Sequence, residues 1–375
     1  MIIHFITSTE RAGAQAVLLD VVRYLQKEGI KQSVIFIHDG DARPEFLVLG
    51  VSVYQVKGFL CSYDPFFWYR LYKLMHRLNP TCLHTVLWSA GFCGRIVARL
   101  LGIRQVHALH NSFEHNGRLR NILNAFVGMA QVTTIAVSHS VALSLDRAKV
   151  FYKEVVVVQN GIDSSELEYR VKNGQRTRQE LGLLPEHFVI GSVGRFEHVK
   201  NYDLLVQSFA LLYRKYPFAR LVLVGSGSLE SSLKKLAFKL KVRDYVIFVI
   251  NQPAYGYYPL FDCFALSSYT EGLSVALLEA MGCGIACVVS HAGSVHDAIE
   301  NENNGLLVRE NCPKNFSYAL ERCMKEKSLK SRFEREAKKA MRERFGSAFK
   351  NRQYRQLFVY DSVCARSEQE GFFFR

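Results

Sequence analysis

Short apolar, β-branched runs recur along the first part of the chain, at residues 2–7, 34–38, 51–56, 82–86, 105–109, 133–137 and 155–158. Between them, apolar residues fall at helical spacing over 14–28, 65–78, 91–101 and 119–129. Runs without polar alternation suit strands covered on both faces, and a strand–helix–strand rhythm implies right-handed crossovers into a parallel sheet. Residues 163–179 then turn polar and lose the strand pattern, which reads as a linker. The rhythm restarts with strands at 188–193, 220–224, 246–249, 263–267 and 285–289, and helices at 202–215, 229–240, 275–281 and 313–327. Two doubly wound α/β domains are the expectation, over residues 1–163 and 164–345. The final stretch, about 346–375, is helical in pattern and is expected to pack back on the first domain.

The length of 375 residues agrees with two cores rather than one. An apolar share of 49% and a charged share of 22% exclude disordered, collagen-like and coiled-coil classes. The balance of 48 basic against 34 acidic side chains leaves +14, so anionic partners are the natural ones. Nine scattered cysteines form no Cys-x-x-Cys pair and read as buried thiols in a reducing compartment. Neither a secretory leader nor an eighteen-residue apolar run is apparent. On these points the protein is expected in the cytoplasm or on the inner face of a membrane. None of the twelve histidines shows metal-ligand spacing.

Open parallel sheets bind ligands outside the carboxyl ends of their strands, so the chemistry is sought just after each strand. The run at 188–193 leads into Gly194-Arg195-Phe196-Glu197-His198-Val199-Lys200-Asn201. Two cations at the opening of a helix suit a diphosphate, with Arg gripping it as a fork and Lys as a point charge. The run at 263–267 leads into Ser268-Tyr269-Thr270-Glu271-Gly272-Leu273-Ser274, and Glu279 follows inside the apolar VALLEAMG. A carboxylate in such a stretch is costly unless hydrogen-bonded, by sugar hydroxyls or by a neighbouring side chain. Gly225-Ser226-Gly227-Ser228-Leu229-Glu230 mimics a dinucleotide fingerprint, but Glu230 replaces its last glycine, and a tight strand–helix turn is the better reading.

GSVGRFEHVKNYDLL, LVLVGSGSLE and SSYTEGLSVALLEAMGCGIACVVS resemble the C-terminal domain of glycosyltransferase family 4. Upstream, Ala12-Gly13-Ala14-Gln15, Ala108-Leu109-His110-Asn111 and Val158-Gln159-Asn160-Gly161-Ile162-Asp163 extend the likeness over roughly residues 1–345. The resemblance implies a GT-B fold, with two Rossmann-like domains facing across a cleft. It also implies a retaining transferase that moves a sugar from a nucleotide-diphosphate-sugar donor to a glycan or glycolipid acceptor. No cofactor or metal is implied. By this resemblance Arg195 and Lys200 hold the diphosphate, and Glu279 holds the ribose hydroxyls. Glu271 touches the donor sugar beside the backbone of Gly272, Leu273 and Ser274. Gly13 lets the first loop approach the diphosphate, and His110 lies by the sugar and acceptor. The first loop departs from the family pattern, where paired glycines and a Glu are usual, and Asp297 stands where Glu is commoner. The family's habits further suggest surface polysaccharide or lipopolysaccharide synthesis. The alternatives are an epimerase or phosphorylase of the same fold, or a non-catalytic protein that binds lipid or nucleic acid.

The basic excess has a centre. Residues 57–120 carry nine Lys or Arg and two acids, including the aromatic and basic run from Tyr63 to Arg77. Such a helix suits peripheral association with an anionic membrane, and equally a core-facing aromatic stripe with a solvated basic edge. Nothing resembling a nucleic-acid module accompanies it, so no nucleic-acid partner is expected.

Overall fold

Strands apolar on both faces need cover on both sides, and each half of the chain meets that need with helices on either side of one parallel sheet. The computed structural model describes residues 1–10, 12–110, 132–147 and 154–359. These fall into two compact units, Met1–Asn160 with the segment from Ser347 onward, and Gly161–Gly346.

The first unit holds β1 (Ile2–Ser8), β2 (Gln32–His38), β3 (Ser52–Gln55), β4 (Cys82–Val86), β5 (Arg104–Leu109), β6 (Thr133–Ala136) and β7 (Glu154–Val157) in the order β3-β2-β1-β4-β5-β6-β7. All neighbours run parallel, with Ile2 of β1 opposite Gln32 on one side and Cys82 on the other. Alternate residues of β1 feed opposite cores: Ile2 and Ile6 join Leu18, Val22 and Phe36, whereas Ile3 and Phe5 join Phe67, Leu71 and Val97. Helix Ser347–Val359 closes the first of these faces with Tyr354 and Phe358, both buried. Lys350 Nζ reaches Asp20 Oδ2 at 2.5 Å, and Arg104 donates to the carbonyl of Phe358. The expected helix at 119–129 lies outside the described residues, as do residues 360–375.

Three histidines are buried in this sheet. His4 Nδ1 and His84 Nδ1 stand 3.0 Å apart, and His4 Nε2 stands 3.0 Å from Gln32 Oε1. Gln32 spends its amide donor on the carbonyl of Val22, so its Oε1 accepts and His4 carries hydrogen on Nε2. With His4 neutral, its Nδ1 accepts from His84 Nδ1–H. His107 Nδ1 pairs with the Thr85 hydroxyl at 2.9 Å. Burial lowers His4 to about 4 and His107 to about 3, and pushes His84 well below the ordinary imidazole range.

The second unit holds β8 (Phe188–Val193), β9 (Ala219–Val224), β10 (Val246–Val249), β11 (Cys263–Leu266), β12 (Ala286–Ser290) and β13 (Leu306–Val308), ordered β10-β9-β8-β11-β12-β13. In place of the expected linker stands helix Ser164–Gly174, capped by Asp163, which accepts from the amides of Ser165 and Glu166. Its polar composition misled because Leu167 is its one buried residue. The eight described cysteines are all free, and most are buried.

Candidate active site

In the second sheet the strand order runs outward one way from β8 and the other way from β11. Such a reversal opens a crevice between the loops leaving the two central strands. Those loops are the two that carry Arg195 and Lys200, and Glu271.

The loop after β8 turns through a 3-10 segment, His198–Lys200, into left-handed Asn201 and then helix Tyr202–Lys215. Its neighbour after β11 is stitched to it. Tyr269 donates its amide to the carbonyl of Val199 at 2.9 Å, and Ser267 Oγ donates to the carbonyls of Lys200 and Asn201. Strand adjacency thereby brings together two residues 71 apart in sequence: Lys200 Nζ lies 2.6 Å from Glu271 Oε1. Ser268 Oγ donates to the same oxygen at 2.5 Å. The Glu271 side chain is only 9% exposed and that of Lys200 18%, so the pair is shielded more than an ordinary surface ion pair. Arg195 is exposed on the same loop. That loop rests on the Gly225–Gly227 turn: a Cβ on Gly225 would lie 2.0 Å from the carbonyl oxygen of Gly194. The glycines of the mock dinucleotide motif thus serve close backbone packing.

A third loop, after β12, seats Glu271 from behind. Ser294 donates its amide to the carbonyl of Glu271 at 3.0 Å. Gly293 has φ +53°, and a Cβ there would lie 2.0 Å from the same oxygen. Gly272, Leu273 and Ser274 connect Glu271 to helix Val275–Gly282, with Ser274 at its N-cap. Their amides sit where a helix start favours an anion or a sugar oxygen.

Glu279 is buried on that helix. Its carboxylate is answered from within the protein, since Tyr258 donates its hydroxyl to Oε2 at 2.6 Å. Burial is the main reason its acidity is weakened to about 7, and hydrogen bonds from Tyr258 and Tyr255 and the charge of Arg170 act against the rise. Tyr258, Tyr255, Ser268 and Gly293 were not singled out from the sequence. Ser268 lay within the quoted motif, but the tyrosines precede Glu279 on separate short turns and leave no local signal.

Gly13 and His110 belong to the first unit. Gly13 opens helix Gly13–Lys27 just after β1, behind Ala12 at the N-cap in an extended conformation. His110 follows β5, half-buried, with its pKa lowered to about 4 by burial and by the nearby Lys350 ammonium. It is therefore a neutral imidazole at physiological pH.

Comparison with known proteins fits this geometry. A family model described as glycosyl transferases group 1 matches residues 174–340, and one described as glycosyltransferase family 4 matches residues 11–166. A UDP-Gal:alpha-D-GlcNAc-diphosphoundecaprenol alpha-1,3-galactosyltransferase of Escherichia coli is 27% identical over 272 residues, covering 69% of this chain and 70% of its own. HepE of Anabaena, solved with UDP-glucose, superposes with a TM-score of 0.85 at 19% identity, covering 95% of this chain and 98% of its own. WaaG, a glycosyltransferase involved in lipopolysaccharide biosynthesis, superposes with a TM-score of 0.76 at 14% identity, covering 96% and 100%. With family models matched across both units and two parallel sheets of seven and six strands, the chain belongs to the group 1, family 4 glycosyltransferases and has the GT-B fold.

Proposed function

We propose that the protein is a retaining hexosyltransferase that moves a sugar from a nucleotide-diphosphate-sugar to a glycan or glycolipid acceptor in surface polysaccharide or lipopolysaccharide synthesis. The observation that carries this reading is the shielded Lys200–Glu271 pair at the crevice of the second sheet. In the reaction the bond from the sugar's anomeric carbon to the diphosphate oxygen breaks while a bond to the acceptor oxygen forms on the same face. The acceptor's proton passes to the departing diphosphate. Negative charge therefore grows on the diphosphate, where Lys200 and Arg195 stand to stabilise it without a metal ion. Glu271 accepts hydrogen bonds from the donor sugar's hydroxyls, with the amides of Gly272, Leu273 and Ser274 beside it. Glu279 accepts from the ribose. Gly13 gives the donor room at the first loop, and His110, neutral, serves as a hydrogen-bonding partner to sugar or acceptor rather than as an acid.

A thermal-shift series with UDP, GDP, ADP and their sugar conjugates, with and without magnesium, tests the donor assignment. A ligand at about 100 times its Kd should add roughly 2.7 kcal/mol of stability. A shift with one diphosphate, indifferent to magnesium, is expected. Silence with all of them would refute it.

Among the described residues no helix is long and apolar enough to cross a membrane. A lipid-linked acceptor would then be met at a surface, and helix Pro65–Leu78 is suited to that on the cytoplasmic face. It buries Phe67, Leu71 and Met75 while leaving Phe66 and Tyr69 exposed beside Arg70 and Lys73. The aromatic run is thus divided between core and surface. The lipid-linked acceptor named for the Escherichia coli relative supports this placement. Binding to vesicles rich in anionic lipid should fall steeply as salt rises from about 50 to 500 mM, because the Debye length shrinks below the reach of these cations. Equal binding to neutral vesicles would dismiss the electrostatic surface.

A further inference from the structure

The hydroxyl of Tyr258 leaves little freedom to the carboxylate it touches. Its ring is wholly buried on the 3-10 turn Tyr258–Leu260, against Phe261 and Phe264. Its phenol is made far less acidic than usual, chiefly by burial and next by the charge of Glu279, so it remains a neutral donor. That single hydrogen has Glu279 Oε2 at 2.6 Å and the carbonyl of Ala276 only at 3.4 Å. Tyr255, from the preceding turn Ala254–Gly256, also hydrogen-bonds Glu279, and Arg170 stacks over the Tyr255 ring at 5.0 Å. Arg170 lies on helix Ser164–Gly174 and is itself fixed by Glu166 at 2.7 Å. A carboxylate offers about four lone-pair positions, and two phenol donors leave about two, the number that a vicinal diol can fill.

We propose that Tyr258, assisted by Tyr255, is a positioning residue that holds the Glu279 carboxylate in the orientation that receives the two ribose hydroxyls of the donor. This rests on the assignment of Glu279 to the ribose. The charged and titratable groups facing Glu279 are Tyr258 and Tyr255, Arg170, Cys283 at the end of its own helix, and Lys338 beside Cys283 from helix Lys327–Arg344. A rigid carboxylate matched to a diol has a consequence that bulk packing lacks, because removing a donor from it changes its proton affinity as well as its direction.

The experiment is calorimetric titration of UDP and GDP between pH 6 and 9 into the wild type, Tyr258→Phe, Tyr255→Phe and Glu279→Gln. In the wild type, affinity should weaken as pH falls through about 7, where Glu279 gains its proton. Glu279→Gln should remove that component and leave only the phosphate's own titration near pH 6. Tyr258→Phe should move the Glu279 midpoint upward by about one pH unit, the effect of losing one hydrogen bond to a charged acceptor. Tyr255→Phe should move it the same way by less, and it decides the matter if Tyr258→Phe does not fold. A midpoint unmoved in the folded tyrosine variants, with Glu279→Gln still impaired, would overturn the proposal and leave the ribose assignment standing. Wild-type affinity and pH dependence in Glu279→Gln would overturn that assignment itself.

Discussion

Lys200→Ala should lower kcat by about 10²–10³-fold, the usual effect of deleting one preorganised group where charge develops. The loss has two parts, and both follow from the geometry. The ammonium proposed to meet the departing diphosphate disappears, and Glu271, 9% exposed, keeps only the Ser268 hydroxyl on the oxygen that Lys200 had shared. A largely buried carboxylate deprived of its partner reorients, so the proposed sugar contact should suffer together with the diphosphate contact. Lys200→Arg would retain the charge yet not the function, because a planar fork does not reproduce a point charge at 2.6 Å. Steady-state kinetics with a matched melting curve check this. Unchanged kcat in a folded Lys200→Ala protein would remove the pair from the chemistry.

Mild acid should separate the stabilities of the two units. His4 and His107, fully buried in the first sheet, are lowered to about 4 and about 3. A folded-state pKa below the unfolded value means that the unfolded chain binds more protons, so stability is lost as pH falls below about 6.5. At pH 5 each ring costs on the order of 2 kcal/mol, a large part of the stability of an ordinary domain. Glu279 in the second unit has the opposite sign. Raised to about 7, it takes up its proton in the folded state first, so the second unit gains stability as pH falls from about 7 towards 4.5. The protein carries a convenient reporter, since both tryptophans, Trp68 and Trp88, lie in the first unit. Urea unfolding followed by tryptophan fluorescence should shift to lower midpoints between pH 7 and 5, while circular dichroism, which sees both units, becomes biphasic. Coincident curves at pH 5 would count against the buried neutral histidines.

The strands were legible because buried parallel strands are continuous apolar runs, and the loops that follow them were legible because chemistry concentrates there. The second sheet's last strand, Leu306–Val308, was missed, being too short to form a run. Helix Ser164–Gly174 was missed for lack of an apolar stripe. In the site, Lys200, Glu271 and Glu279 stood out through charge in apolar or post-strand settings. Their relation did not. That Lys200 and Glu271 share one locus depends on β8 pairing with β11, which no local pattern encodes. The same holds for Tyr258, which meets Glu279 across 21 residues.

The first unit is discontinuous along the chain, since it departs at Asn160 and resumes at Ser347. During synthesis this inverts the order in which the two halves are finished. Residues 161–346 hold every strand of their own sheet and can collapse once they clear the ribosome. Asp20, His4 and His84 emerge far earlier, yet they wait for Lys350, Tyr354 and Phe358 before their face is covered. The unit translated first is the last to be completed, and its longest-range contacts are the slowest to close.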